Sequence, residues 1–417
     1  MPQNPLSYLN SLGLHKVKPG LDRINTLLDA LGNPQDKAPC IIVGGTNGKG
    51  SVASAISSVL TQAGYKTGLY TSPHLVSLTE RIRINGSPIT ESELSDCINR
   101  IRSAGAKSLK EEPSYFEVLT AAAILYFSEH ELDFSVHEVG MGGRWDATNV
   151  TRPLVSVITN ISKEHTEYLG STMRDIAQEK ACIIKPGAPV VTGARGEALD
   201  IIISAAAENS SDLSVLGKDF TVREEANERF SYSGSIWKLD NLESNLHGLY
   251  QLQNLALAVR VLEKLEESGS ARIEEDILRR GLSRIDWEGR FQIVRDDPPV
   301  ILDSAHNPGA AKALAASLRH SYPGVRFTFL IGMLGDKDHS AFLKEVAGVA
   351  EKIIITQAPS ERGANTDSLS EAAGEYIDNI IIIDSYDEAY RELINSDSPA
   401  CVTGSLYLIG ALKPLTL

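Results

Sequence analysis

The chain has 417 residues, more than one ordinary core accommodates, so two domains are expected. Hydrophobic residues make up 42% and charged residues 23%, an ordinary globular balance. The formal net charge of −14 argues against general nucleic-acid binding, which demands surplus Lys and Arg, yet it leaves room for a local basic cluster around an anionic substrate.

In chain order, apolar residues Leu21, Ile24, Leu27, Leu28 and Leu31 predict a helix that ends at Gly32. Residues 40–43 read as a short apolar strand, followed by a glycine-rich loop. Val52, Ile56, Val59 and Leu60 then repeat at helical spacing as far as Gly64. Strand, glycine loop and helix make one βα unit. Residues 115–127 read as helix, 134–139 as strand, and 154–161 as a continuous apolar strand buried on both faces. Thr172 with Asp175 resembles a capping box, opening a helix through Ile183. Residues 210–245 are more polar and read as a small antiparallel excursion; 249–265 read as helix. A second series begins near Pro298, with strands expected at 300–302, 326–331, 352–356, 379–383 and 400–403. Alternating strands and helices predict an α/β fold: a P-loop-type domain with a mostly parallel sheet, then a smaller Rossmann-like α/β domain. The boundary is expected within 285–290, giving domains 1–287 and 288–417.

Cys40, Cys97, Cys182 and Cys401 are widely spaced, which argues against a metal or disulfide framework. The start of the chain lacks the pattern of a signal peptide, and no apolar run is long enough to span a membrane. A cytoplasmic location is expected.

Gly44-Gly45-Thr46-Asn47-Gly48-Lys49-Gly50-Ser51 has the makings of a phosphate cradle. Glycines allow close backbone approach, and the following helix N-terminus supplies N–H donors and a positive dipole end. Lys49 can reach the β/γ-phosphates of ATP, and Ser51 can offer its hydroxyl to Mg2+. Gly50 separates Lys49 from Ser51, so the spacing is not the standard Walker one. The alternative is a glycine-rich turn that binds nothing.

Glu138 closes a strand at the sheet edge where ligands bind, and suits Mg2+; the alternative is a solvated acid. His165 follows the next strand and is either a solvated loop histidine or a ligand of a second cation. Lys180 carries no signal in its spacing and reads as a surface lysine. Asp303 and His306, in Asp303-Ser304-Ala305-His306-Asn307-Pro308, read either as a ligand-facing loop or as a helix N-terminal turn.

These segments together resemble the Mur ligase superfamily, and within it the dihydrofolate synthase/folylpolyglutamate synthase family. The resemblance runs through Gly45 to Ser51, Thr71-Ser72-Pro73-His74-Leu75, Phe116-Glu117, Glu138 to Arg144, Asp146-Ala147-Thr148-Asn149, Asp303 to Pro308, Gly335-Asp336-Lys337-Asp338 and Thr403 to Leu408. It implies that a folate carboxylate attacks the γ-phosphate of ATP to give an acyl phosphate, which the amine of L-glutamate converts to an amide. It implies that Thr46, Asn47, Gly48, Lys49, Gly50, Ser51, Asn254, Arg290, Asp303 and His306 bind ATP. Ser72 and Glu138 would hold a first Mg2+, and His165 with Glu138 a second. Lys180 would carry CO2 as a carbamate metal ligand. Lys49, Glu138, His165 and Lys180 are thus the expected catalytic set. Ser114, Tyr115, Phe116 and Glu117, with Trp145, Asp146 and Ala147, would contact the folate.

The chain departs from the family pattern at Glu164, Cys182 and Ser304, and in the stretch Lys16-Val17-Lys18-Pro19-Gly20. That stretch favours a folylpolyglutamate synthase alone, whereas Asp146 favours an enzyme that also makes dihydrofolate from dihydropteroate. Another Mur-type amino-acid ligase, or an ATP-binding regulator that ligates nothing, are the remaining readings. The expected partners are dihydropteroate, reduced folates and L-glutamate, with no nucleic acid or membrane, acting on a monomer.

Overall fold

The computed structural model describes residues 4–14, 16–226 and 228–415. Its contacts divide the chain into two compact units, Met1–Ser244 with Gln253–Asp286, and Asn245–Leu252 with Trp287–Leu417.

The first unit is built on an eight-stranded sheet. Its strands are β1 (Cys40–Gly44), β2 (Thr67–Tyr70), β3 (Ile82–Ile84), β4 (Ser87–Pro88), β5 (Phe134–Glu138), β6 (Pro153–Ile158), β7 (Val190–Thr192) and β8 (Leu213–Val215). They lie in the order β4-β3-β2-β5-β1-β6-β7-β8. In that order the pairs from β2 to β8 are parallel, while β3 pairs antiparallel with both β2 and β4. Every residue of β1 and β5 is buried, as expected of strands covered on both faces. The helix Tyr115–Glu129 is apolar almost all round, and its core partners include Ile98 and Ile101 of the helix Glu91–Ser108. Register sets Val43 against Glu138 and Gly44 against Ile158, so the segments leaving β1, β5 and β6 emerge side by side.

A separate antiparallel sheet is formed by β9 (Thr221–Glu224), β10 (Phe230–Ser233) and β11 (Lys238–Leu242). The excursion expected over 210–245 is therefore divided, because β8 joins the large sheet in parallel. The strand expected over 154–161 stops at Ile158, where Thr159 and Asn160 turn their side chains to the Asn47 carbonyl. The helix capped by Thr172 and Asp175 runs Met173–Ala181 and stops short of Ile183. Pro186 lies just beyond, and Ile183 and Ile184 sink into the core as the chain turns.

The second unit carries a six-stranded sheet. Its strands are β12 (Gln292–Asp296), β13 (Pro299–Leu302), β14 (Phe327–Ile331), β15 (Ala350–Ile355), β16 (Ile380–Ile382) and β17 (Ala400–Thr403), in the order β12-β13-β17-β14-β15-β16. All neighbours are parallel except the edge strand β12, which the sequence pattern does not reveal. Phe291, Ile301, Leu314, Phe327, Phe329 and Phe342 centre its core. Among the described residues no helix is long and apolar enough to cross a membrane.

Candidate functional site

The loop after β1 is held from one side by the segment after β6. Thr46 N donates to Asn160 O at 2.8 Å, and Asn47 N to Asn160 Oδ1 at 3.1 Å. Asn160 Nδ2 and Thr159 Oγ1 both donate to Asn47 O, at 2.9 and 2.7 Å. Nothing in the sequence pattern marks Thr159 and Asn160 as clamps, since both lie inside an apolar run. Gly48 caps the helix Lys49–Gln62 at φ +82°, in the left-handed region where glycine is at ease. A Cβ there would fall 2.2 Å from Asn254 Oδ1, so Asn254 lies directly against the loop. Lys49 Nζ donates back to Thr46 O at 2.9 Å, across the loop, while Gly50 and Ser51 lie buried in the first helical turn. That turn's N–H groups lack partners within the helix and suit an anion.

Glu138 closes β5 on the same sheet edge and is buried. Its Oε2 accepts from Ser72 N at 3.0 Å, which fixes the segment after β2 beside the segment after β5. His165 sits in the left-handed region at φ +53°, at the start of the short helix Thr166–Leu169. It is partly exposed, with Nε2 3.8 Å from Glu164 Oε1.

Lys180 overturns its reading as a surface lysine. It is 3% exposed and Nζ donates to Gly45 O at 2.8 Å. Burial, reinforced by the nearby Lys49 charge, pushes its amine down to about 7. The same helix abuts Gly143, where a Cβ would meet Glu179 O at 2.5 Å.

The segments read as folate-side are strongly structural as well. Ser114 and Glu117 form a reciprocal capping box, with Glu117 N donating to Ser114 Oγ at 3.2 Å and Ser114 N to Glu117 Oε2 at 2.6 Å. Their spacing carries that signal in the sequence. Glu117 also pairs with Arg23 at 3.2 Å. Phe116 packs on Gly140, where a Cβ would lie 2.6 Å from its ring, and Tyr115 opens the helix. Asp146 accepts from Met141 N at 2.9 Å and from Thr148 N at 3.0 Å, locking the turn that carries Ala147. Burial raises its carboxyl pKa despite those bonds. Trp145 beside it is 53% exposed.

In the second unit, Asp303 leaves the end of β13, buried. Its Oδ2 accepts from Tyr250 Oη at 2.5 Å and Phe291 N at 2.9 Å, and Oδ1 accepts from Ala305 N at 2.8 Å. Burial raises its pKa, and burial followed by the Asp303 charge lifts that of Tyr250 well above the usual phenol range. Tyr250 is a partner that no motif suggests. His306 Nδ1 lies 2.9 Å from Ser304 O, and Arg290 Nη1 donates to Gly289 O at 3.1 Å. Asn307 caps the helix Pro308–Ser321, so the helix-turn reading of this segment holds at that position.

Residues 43–262 match the Mur ligase middle domain, and residues 289–406 match the Mur ligase, glutamate ligase domain. The chain is 34% identical to a dihydrofolate synthase/folylpolyglutamate synthase of Bacillus subtilis, covering 99% of this chain and 98% of that one. The chain belongs to this branch of the Mur ligase family. E. coli FolC in complex with DHPP and ADP superposes with a TM-score of 0.90 at 33% identity, covering 99% of this chain and 98% of that one. A bifunctional folylpolyglutamate synthase/dihydrofolate synthase of Yersinia pestis, complexed with AMPPNP and Mn ion, gives a TM-score of 0.88 at 29% identity, covering 99% and 97%.

The donor set of this Mur ligase chain bears on the kind of metal it suits. Among the described residues no group of three or more His, Cys, Asp or Glu could hold a metal unaided. Mg2+ retains several waters and binds through one or two carboxylates plus substrate phosphates. A single carboxylate, Glu138, beside a phosphate loop fits a cation that arrives with a nucleotide, and does not fit a cage made by protein alone.

Proposed function

We propose that this chain is an ATP-dependent ligase that adds L-glutamate to dihydropteroate, giving dihydrofolate, and to reduced folates, giving folylpolyglutamates. The observation that carries the reading is the gathering of Lys49, Glu138 and Lys180 around one phosphate loop at the carboxyl edge of a parallel sheet. The domains assigned to the work are 1–287 for ATP and 288–417 for ligation, in a cytoplasmic monomer.

A carboxylate oxygen of the folate attacks the γ-phosphorus, and the bond to the β-phosphate oxygen breaks, releasing ADP and leaving an acyl phosphate. The amine of glutamate attacks the acyl carbon and loses a proton. The tetrahedral adduct then expels inorganic phosphate and leaves the amide. Such chemistry is mainly positioning and charge neutralisation. Thr46 to Ser51 would cradle the phosphates, with Lys49 supplying positive charge and Asn254 bracing Gly48. Arg290, Asp303 and His306 are also assigned to the nucleotide. Mg2+, held by Ser72 and Glu138, and at a second site by His165, Glu138 and carbamylated Lys180, would supply further neutralisation. Ser114 to Glu117 and Trp145 to Ala147 are assigned to the pterin end.

A synthase acting on reduced folates alone is the second reading. It is favoured by the unusual stretch 16–20, where Lys18 Nζ donates to Glu112 O at 2.6 Å, just before the Ser114 segment. Product masses after incubation with ATP, Mg2+, L-glutamate and either dihydropteroate or a reduced folate separate the two. Glutamylated product is expected from both acceptors. Product from the reduced folate alone selects the second reading, and phosphate release indifferent to acceptor and glutamate sinks the ligase.

A further inference from the structure

Arg81 ends the short 3-10 turn Leu78–Arg81 between β2 and β3 and is 4% exposed. Its Nε donates to His74 Nδ1 at 2.9 Å, and its Cζ stands 5.9 Å from the centre of the Tyr115 ring. Among the described residues no carboxylate pairs with it. Two other buried cations are matched by carboxylates: Arg260, also 4% exposed, meets Glu263 at 2.6 Å and Glu267 at 2.8 Å, and Lys264 meets Asp212 at 2.6 Å. Lys180 meets the Gly45 carbonyl instead, but an amine can shed its proton and a guanidinium cannot. A guanidinium withdrawn from water without a counter-ion is costly unless an anion arrives to complete it.

The hydrogen bond also fixes the histidine. An arginine N–H can only donate, so Nδ1 of His74 accepts and the ring proton sits on Nε2. With Nε engaged by His74, the cluster offers two kinds of donor, guanidinium and imidazole N–H. Its place is specific. Ser72, whose N–H binds Glu138, lies two residues before His74, and Tyr115 begins the helix assigned to the folate.

We propose that Arg81, with His74 Nε2–H, binds the carboxylate of the folate substrate that is to be phosphorylated. The inference rests on the ligase reading. A carboxylate that attacks the γ-phosphate must lie between the phosphate-side group, Ser72 and Glu138, and the folate-side group at Tyr115, and Arg81 touches elements of both. The carboxylates of the incoming amino acid do not react and are under no such constraint.

The test measures binding of dihydropteroate, and of its carboxamide counterpart, to the full chain with ADP present. The wild type should favour the acid over the amide by roughly 10- to 100-fold, the range of a charge-assisted hydrogen bond pair. Arg81→Gln should bind the acid as weakly as the wild type binds the amide, with ADP affinity kept. In steady state its KM for dihydropteroate should rise while the KM for L-glutamate holds. Equal binding of acid and amide by the wild type would overturn the assignment even if no variant folds. So would Arg81→Gln retaining the preference, or a KM increase confined to glutamate. Wild-type protein that binds neither compound and makes no product fails the ligase reading instead.

Discussion

The buried Nζ of Lys180 donates to the carbonyl of Gly45 at 2.8 Å, tying the helix Met173–Ala181 to the start of the phosphate loop. Burial and the Lys49 charge bring this amine down to about 7, so the neutral form that the proposed carbamate requires is well populated near neutrality. The neutral fraction grows as pH rises through 7, and carbamate formation should follow it. Lys180→Ala is expected to lose activity by on the order of 100-fold, the scale of losing a metal-aligned charge. Acetate or another short carboxylate should restore part of it. Protein stripped of CO2 should regain activity with bicarbonate, more completely above pH 7 than below. Full activity of Lys180→Ala in CO2-free buffer would remove the carbamate.

Gly48 tests how tightly the loop is built. At φ +82° an alanine is strained by about 1 kcal/mol, and its Cβ would also collide with Asn254 Oδ1 at 2.2 Å. Gly48→Ala should therefore lower stability by roughly 2 kcal/mol and weaken ADP binding by about 10-fold or more. Denaturant titration and ADP calorimetry read the two effects. ADP affinity unchanged in a folded variant would place the nucleotide elsewhere.

The order of strands and helices was legible where a strand's apolar residues are followed by a turn signal, as in Cys40–Gly44 and Phe134–Glu138. Thr67–Tyr70 and Gln292–Asp296 escaped notice because each mixes polar with apolar residues. The helix Glu91–Ser108 did carry a readable signal, the capping box of Thr90 and Glu93. Around the site, the glycine loop announced itself by composition. Lys180 did not, since an isolated lysine at helical spacing looks solvated until the fold lays it under Gly45. Arg81 was hidden for the same reason: only the fold shows which charges lack a partner.

Glu138 separates a metal role from a structural one. Glu138→Gln keeps an oxygen to accept the Ser72 N–H, now at 3.0 Å, but removes the charge a cation needs. The variant should fold and melt close to wild type while Mg2+-dependent turnover drops by about 100-fold or more. Glu138→Ala should lose turnover and also loosen the Ser72 segment, leaving a half-buried N–H without its acceptor. A rate in Glu138→Gln equal to wild type would reject the metal role.

Away from the site, Glu267 contributes to the acid stability of the first unit. Burial alone would raise its pKa, but hydrogen bonds from Lys264, Ser235 and Arg260 outweigh it and bring the carboxyl down to about 2, against an ordinary 4.5. Because the folded value is the lower one, the network stabilises the protein fully above pH 4.5. That contribution is lost as pH falls from there toward 2. Glu267→Gln should thus cost about 1 to 2 kcal/mol at pH 7, the scale of charge-assisted bonds in a partly exposed group. Urea midpoints measured from pH 7 downward should converge for variant and wild type as pH drops below 4.5. A gap that stays constant over that range would mean that Glu267 acts by packing, and the ion network joining it to Arg260 and Lys264 would carry no pH dependence.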